Sequence, residues 1–439
     1  MTATPRLIAL SAPDPAGLAD LATQVGALAA DQPRLALARL ASSLAARPAH
    51  PCRMALVATS VADVATSLLG GDDRAQIRGT ARRDPPLVFL YPGVGEHYPA
   101  MAAELYGWSP VFRAALDECC ELAEAELGEN PRAQLDLTGE QAASGAAPGW
   151  PDLAGMMRPA GRPPVFDEPR TAQVLVFAVE YALAESLRHW GLVPSAMLGY
   201  SIGEYTAACV AGVLELADAV RLVARRALLI EETEPGGMLA VLLSAEDVRT
   251  RLARVGDPRL AVAIVDGPAL CVVSGPADAV AELAEILDVE GIASRRLPVR
   301  HAFHSPVLAP AEAPLARLVA GSTLRAPEIP VVSNVTGTWL TARQATDAGY
   351  WAAHMLRTVQ FFDGLGEVWA LPEPVLLEVG PGRTLGTLAG QHPARAARSP
   401  VLSTMPGQGH GGSGIARLLA AVGGAWVHGL PVDLGRVTG

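Results

Sequence analysis

The sequence predicts an α/β protein made of a parallel sheet, a smaller inserted sheet and a short N-terminal unit. Three observations carry this. Leu87-Val88-Phe89-Leu90-Tyr91 is an uninterrupted apolar run of the kind found in buried parallel strands, and it ends in the turn Pro92-Gly93-Val94-Gly95. Ala196-Met197-Leu198 is a second apolar strand, followed by Gly199-Tyr200-Ser201-Ile202-Gly203 and a helix of small residues. Residues 237–299 read strand, helix, strand, strand, helix, strand, the split order of a ferredoxin-like subdomain.

Taken in order, residues 1–85 form a small α/β unit. It has a strand at Leu7 to Leu10, two amphipathic helices rich in Ala and Leu, and a strand at Met54 to Ala58, and it ends in the polar stretch Arg78 to Pro86. Residues 86–236 open a large subdomain with the strand at Leu87. From Glu129 to Glu168 periodicity fails in a stretch rich in Gly, Pro, Ala and Ser, read as a mobile surface excursion with room for a short helix. Helix Thr171 to Trp190, the strand at Ala196 and a helix from Leu216 to Glu232 follow. In the inserted unit, residues 237–299, strands are expected at Gly237 to Leu243, Leu260 to Ile264, Ala269 to Val273 and Ser294 to Val299, with helices at Ala245 to Val255 and Ala277 to Leu287. Residues 300–395 return to the large subdomain through His301 to Ser305, strands at Pro330 to Asn334 and Val375 to Val379, and the turn Gly380-Pro381-Gly382. Residues 396–439 close the chain. A strand, sharp turn and helix around a serine is an α/β-hydrolase-like arrangement, so the large subdomain is expected to be of that kind.

At 439 residues, half of them hydrophobic, the chain can bury a sizeable core. A net charge of −11 argues against nucleic acid or an anionic membrane surface as the main partner. The five cysteines form no CxxC pair, which fits buried thiols in a reducing compartment and no metal site. No apolar segment reaches the length that spans a bilayer, and nothing near Met1 reads as a leader, so a cytoplasmic setting is expected.

The chemistry centres on Ser201. A serine hydroxyl becomes a useful nucleophile when a tight turn lifts it out of the fold, and flanking glycines let backbone crowd around it. The same turn aims the Ile202 amide at an oxygen that turns negative under attack. The alternative is a serine that merely caps the helix. A serine nucleophile needs a base, and of nine histidines His301 and His304 lie in the loop between the inserted unit and the main sheet. His354 is read as part of an aromatic helix with Tyr350 and Trp351.

Several motifs occur here in a characteristic order. They are Tyr91-Pro92-Gly93-Val94-Gly95, Gly199-Tyr200-Ser201-Ile202-Gly203-Glu204, His301-Ala302-Phe303-His304-Ser305-Pro306, Ser333-Asn334-Val335-Thr336-Gly337, Tyr350-Trp351 and Glu378-Val379-Gly380-Pro381-Gly382. From about residue 87 to 390 the chain resembles malonyl-CoA:acyl-carrier-protein transacylases, and more narrowly the acyltransferase domains of modular polyketide synthases. Residues 1–85 resemble the linker between a ketosynthase and its acyltransferase, and Leu418 to Leu434 the segment that packs back across that linker. A discrete acyltransferase and a unit of a larger synthase fit equally.

The resemblance implies that Ser201 attacks an acyl-CoA thioester and that His304 is its base, with an imidazole oriented by main-chain carbonyls. It implies oxyanion donation by the amides of Ile202 and Val94, and no metal or tightly bound cofactor beyond the coenzyme A thioester substrate. Arg226, 25 residues after Ser201, matches the arginine that grips the donor's free carboxylate; read from the helix alone it would point to solvent. Phe303 and His301, in the pattern that accompanies malonyl units, together with Gln173, Tyr200 and Asn334, complete the implied substrate site. Val94 and Tyr200 stand where the family commonly has glutamine and histidine. Asp266 stands for asparagine, and either perturbs His304 upward or caps a turn. The implied reaction loads malonyl from malonyl-CoA onto the phosphopantetheine thiol of an acyl carrier protein, with a ketosynthase or other synthase modules as further partners. The alternatives are methylmalonyl transfer, and a serine acyl hydrolase or editing thioesterase in which water replaces the thiol.

Overall fold

The computed structural model describes residues 4–70, 76–138, 168–409 and 412–438. Strands β1 (Arg6–Ala12), β2 (Cys52–Ala58) and β3 (Gln76–Thr80) form an antiparallel sheet in that order. Ile8, Leu10, Met54 and Leu56 on one face bury against helices Pro15–Asp31, Leu37–Ala45 and Val61–Leu69. The third strand falls where the sequence reads as the start of a polar linker. Its residues show why: Gln76 is buried, with Nε2 donating to Ser67 O at 2.5 Å, while Arg78 and Thr80, further along the same face, lie towards solvent. A half-polar edge strand carries little apolar signal.

Strand β4 (Leu87–Tyr91) and strand β5 (Ala196–Gly199) are buried at every position. Helix Pro169–His189, apolar over most of its length, packs between Pro110–Leu127 and Leu216–Glu231. The excursion expected between Glu129 and Glu168 falls outside the described residues from 139 to 167; its start holds a short turn, Pro131–Gln134. Next come β6 (Gly236–Val241), β7 (Ala261–Gly267), β8 (Leu270–Pro276) and β9 (Ser294–Arg296). They make a four-stranded antiparallel sheet ordered β7-β8-β6-β9, backed by helices Ala245–Val255 and Ala277–Val289. This is the ferredoxin-like topology.

The chain re-enters the large unit to form β10 (Val331–Val332), β11 (Val375–Glu378) and β12 (Val401–Ser403). The large sheet is five-stranded, parallel throughout, and ordered β10-β5-β4-β11-β12. The segment from 396 onward is therefore not only a linker, because β12 supplies an edge of this sheet. At three residues it is too short to show a periodicity. Among the described residues no helix is long and apolar enough to cross a membrane, and no His, Cys, Asp and Glu cluster is arranged for a metal.

After β12, helix Gly414–Val427 crosses the second face of the N-terminal sheet, where Leu7, Ala9 and Ala55 share a core with Leu418, Leu419 and Val422. Arg53 locks this contact. Its guanidinium lies 4.8 Å from the centre of the Trp426 ring, and its Nη1 donates to Trp426 O at 2.6 Å. Replacing Trp426 with Ala removes the ring but not the backbone acceptor. The expected loss is about 3 kcal/mol of stability, read as a lower midpoint in urea denaturation. A change below about 1 kcal/mol would show that the ring does not hold the helix down.

Candidate active site

Ser201 follows β5 after one residue, Tyr200, and has φ 54°, a left-handed backbone that residues with a Cβ resist. Two glycines allow the crowding this requires: a Cβ on Gly93 would strike Tyr200 O, and one on Gly203 would strike Tyr91 O. Asn334, just after β10, clamps the bend from outside. Its Oδ1 accepts from Ser201 N at 2.7 Å and its Nδ2 donates to Gly199 O at 2.7 Å. Helix Gly203–Val210 then leads away from the sheet.

His304 comes back from the inserted subdomain and also has a left-handed backbone, φ 58°. Its Nε2 lies 2.6 Å from Ser201 Oγ, and its Nδ1 lies 2.9 Å from the carbonyl oxygen of Arg357. With Nδ1 donating to that carbonyl, Nε2 is left as the acceptor that faces the serine. Burial, with the neighbouring His354 ring and the Arg226 charge, holds this imidazole well below its usual 6.5. The ring is therefore neutral at pH 7 and able to take a proton.

Arg226, on helix Leu216–Glu231, is 1% exposed. Its Nη1 donates to Gln173 Oε1, and Tyr205 offers the face of its ring at 5.7 Å. No carboxylate meets it: Nε and Nη2 of Arg226, and Nε2 of Gln173, have no hydrogen-bond partner among the described residues. A buried guanidinium with two nitrogens unpaired among the described residues is costly, and an anion placed there would lower that cost.

The turn after β4 brings Val94 to the same end of the sheet. The amides on either side of Val94 are occupied, Gly93 N by Glu180 Oε1 at 2.8 Å and Gly95 N by His97 Nδ1 at 3.1 Å. Those of Gly203 and Glu204, just beyond Ile202, donate to Tyr200 O and Ser201 O. The Val94 and Ile202 amides take no part in these turn bonds.

The remaining residues singled out in the sequence are spread around this centre. Phe303 is partly buried against both the main core and the cluster between the large sheet and the inserted sheet, and His301 sits beside it with ring centres 6.2 Å apart, on a backbone bridge to Pro235. The Tyr200 side chain points into the core towards the inserted subdomain. Its ring packs edge-on to Phe361 at 5.1 Å, and its hydroxyl donates to Asp266 Oδ2 at 3.2 Å. Asp266 neither raises His304 nor caps a turn. It is buried at the end of β7, and burial pushes its own carboxyl up to about 7.

Three further side chains shape the site. Glu204, fully buried, accepts from Asn334 N at 2.7 Å and from the Tyr350 hydroxyl. His354 is not just part of an aromatic helix: its Nε2 lies 3.2 Å from Glu204 Oε2 and its ring 5.9 Å from that of His304. Glu180 holds Gly93. The sequence signal for Glu180 is a lone carboxylate in the apolar run Val174 to Leu183, and for Glu204 it is a position one residue past the serine motif.

Comparison with known proteins gives a family. Residues 88–406 match the acyl transferase domain family. A phenolphthiocerol/phthiocerol polyketide synthase of Mycobacterium tuberculosis is 33% identical over 447 residues, covering 98% of this chain and 28% of that protein. This chain thus spans little more than a quarter of that relative. Among solved structures, the acyl transferase domain of ZmaA superposes with a TM-score of 0.86 at 29% identity, over 98% of this chain and 95% of that one. The acyl transferase domain of SpnD, in complex with 2-(pent-4-yn-1-yl)malonyl, gives 0.82 at 32% identity, over 98% and 97%. The chain belongs to the acyl transferase domain family, as an acyltransferase domain of the polyketide synthase type.

Proposed function

We propose that this domain transfers a malonyl unit from malonyl-CoA to the phosphopantetheine thiol of an acyl carrier protein in polyketide assembly, by way of a malonyl ester on Ser201. The carrying observation is the buried Arg226, whose Nε and Nη2 lack partners among the described residues, near a neutral imidazole in contact with a serine. A donor with a free carboxylate supplies what the guanidinium lacks, and an acetyl group does not.

In the first half-reaction Ser201 Oγ attacks the thioester carbonyl while its proton passes to His304 Nε2. The oxyanion is met by the amides of Val94 and Ile202. Collapse of this intermediate breaks the C–S bond, and the departing coenzyme A sulfur takes the proton from His304. In the second half-reaction the carrier's thiol gives its proton to His304 and its sulfur attacks the ester. Ser201 recovers its proton as the thioester forms. Coenzyme A thioester enters as substrate, and the chemistry asks for no metal.

Malonyl is preferred to methylmalonyl because Phe303, wedged between two cores, fills the space a branch needs. Excluding one methyl group is worth roughly 1–3 kcal/mol. The 2-(pent-4-yn-1-yl)malonyl in the SpnD domain keeps a malonyl carboxylate but carries a branch, so it supports the carboxylate anchor and not the preference for the unbranched unit.

Labelled malonyl-CoA should leave one malonyl group on the protein, located by peptide mapping at Ser201 and missing from Ser201→Ala. An adduct elsewhere, or one that survives the substitution, rejects the assignment. The pH dependence follows from His304. A folded-state pKa depressed below 6.5 keeps the imidazole neutral and active above that value, and activity is lost only as pH falls through the depressed value. The acylation rate constant should therefore be flat from pH 6.5 to 8 and fall at lower pH; a midpoint above 7 would contradict a buried neutral base.

A further inference from the structure

The two proposed oxyanion donors sit on separate pieces of chain. Val94 is on the turn after β4, and Ile202 is on the elbow after β5. Strand pairing fixes the two together only as far as Tyr91 opposite Gly199, with one more bond from Tyr200 N to Tyr91 O at 2.9 Å. Beyond that the ladder stops, although donors to one oxygen have to be held to within a fraction of an ångström.

We propose that Glu180 is a positioning residue that sets the spacing of these two donors by tying the Gly93 turn to the helix that follows Ser201. Glu180 is fully buried on helix Pro169–His189. Its Oε1 accepts from Gly93 N at 2.8 Å, next to Val94, and its Oε2 accepts from Thr206 Oγ1 at 2.7 Å, one helical turn past Ile202. One carboxyl group thus bonds to both segments. The fit is close: a Cβ on Gly93 would come within 3.2 Å of Ile202 Cγ2, and one on Gly380 within 3.3 Å of Glu180 Cγ.

A carboxyl kept in an apolar helix is expensive unless each oxygen is used, and here each is. Burial pushes this group up to about 8, opposed by the bonds from Thr206 and Gly93. A neutral carboxyl accepts from Gly93 and can donate to Thr206, since a hydroxyl serves in either sense. Glutamine offers the same pair: its oxygen takes the Gly93 amide and its nitrogen donates to Thr206 Oγ1.

This role rests on the proposed acylation of Ser201 and is tested by single-turnover acylation of the whole domain with labelled malonyl-CoA. The rate is expressed per acylatable serine, so misfolded protein does not count. Glu180→Gln should stay within about threefold of the parent rate, whereas Glu180→Ala should lose about 10²-fold in maximal rate. The half-saturating donor concentration should move less than about threefold, because Arg226 is untouched. Should Glu180→Ala yield no folded protein, Glu180→Asp, shorter by one methylene but equally able to ionise, should show the same loss at an unchanged half-saturation. A merely structural residue would lower the fraction of active protein and leave the per-site rate alone. Per-site rates within threefold for Ala and Asp, a loss confined to half-saturation, or a Gln variant as slow as Ala would each overturn the assignment. If the parent itself carries no malonyl at Ser201, the proposed acyl transfer falls as well; if the parent is acylated and the variants match it, only the role of Glu180 falls.

Discussion

The site depends on a backbone conformation that its own residue resists. A serine at φ 54° costs about 1–3 kcal/mol, and it persists because its surroundings over-determine it. The two Asn334 bonds to Ser201 N and Gly199 O, at about 1 kcal/mol each, offset much of that cost. Gly93 and Gly203 remove the side chains that would block the bend. What the strain provides is a hydroxyl that projects to the end of the sheet, 2.6 Å from an imidazole on the loop that returns from the inserted subdomain.

Two buried layers support that contact. Glu204 takes the Asn334 amide and the Tyr350 hydroxyl, and so joins the helix after Ser201 to the loop beyond β10 and to helix Ala348–His354. The chain running on from that helix supplies the carbonyl that orients His304. Glu180 acts on the opposite side, on the turn that carries Val94. Ser201, the His304 imidazole and the Val94 turn are thus each tied to the fold through buried polar groups, a setting in which every bond is strengthened by the low local dielectric.

Much of this is legible in the chain. The parallel strands announce themselves as continuous apolar runs, and the inserted sheet by its order of elements. Ser201 and His304 come from motifs whose order and spacing are more specific than any one of them, and Arg226 from its offset of 25 residues from Ser201 once the resemblance is made. What is not legible is tertiary. Glu180 and His354 look like polar residues on helices until the fold buries them, and no local pattern says which backbone amide a buried carboxylate will meet. The place of Asp266 is hidden in the same way, because its partner, the Tyr200 hydroxyl, lies across the subdomain boundary. Strands β3 and β12 leave little trace because a half-polar edge and a three-residue strand carry almost no periodicity.

The buried guanidinium gives the fold its chemical direction. Helix Leu216–Glu231 could have turned Arg226 outward like its neighbour Arg225, which pairs with Glu126 at the surface. Instead it accepts the cost of burial with the Gln173 side-chain amide as its hydrogen-bond partner and two nitrogens unpaired among the described residues. The most direct measurement is a competition between malonyl-CoA and acetyl-CoA for Ser201, followed by intact mass in the parent and in Arg226→Ala. The parent should favour malonyl by about 10²-fold or more, and Arg226→Ala should bring the two within about tenfold. A parent that takes acetyl as readily as malonyl, or a variant that keeps the full preference, would contradict a site built to hold a carboxylate.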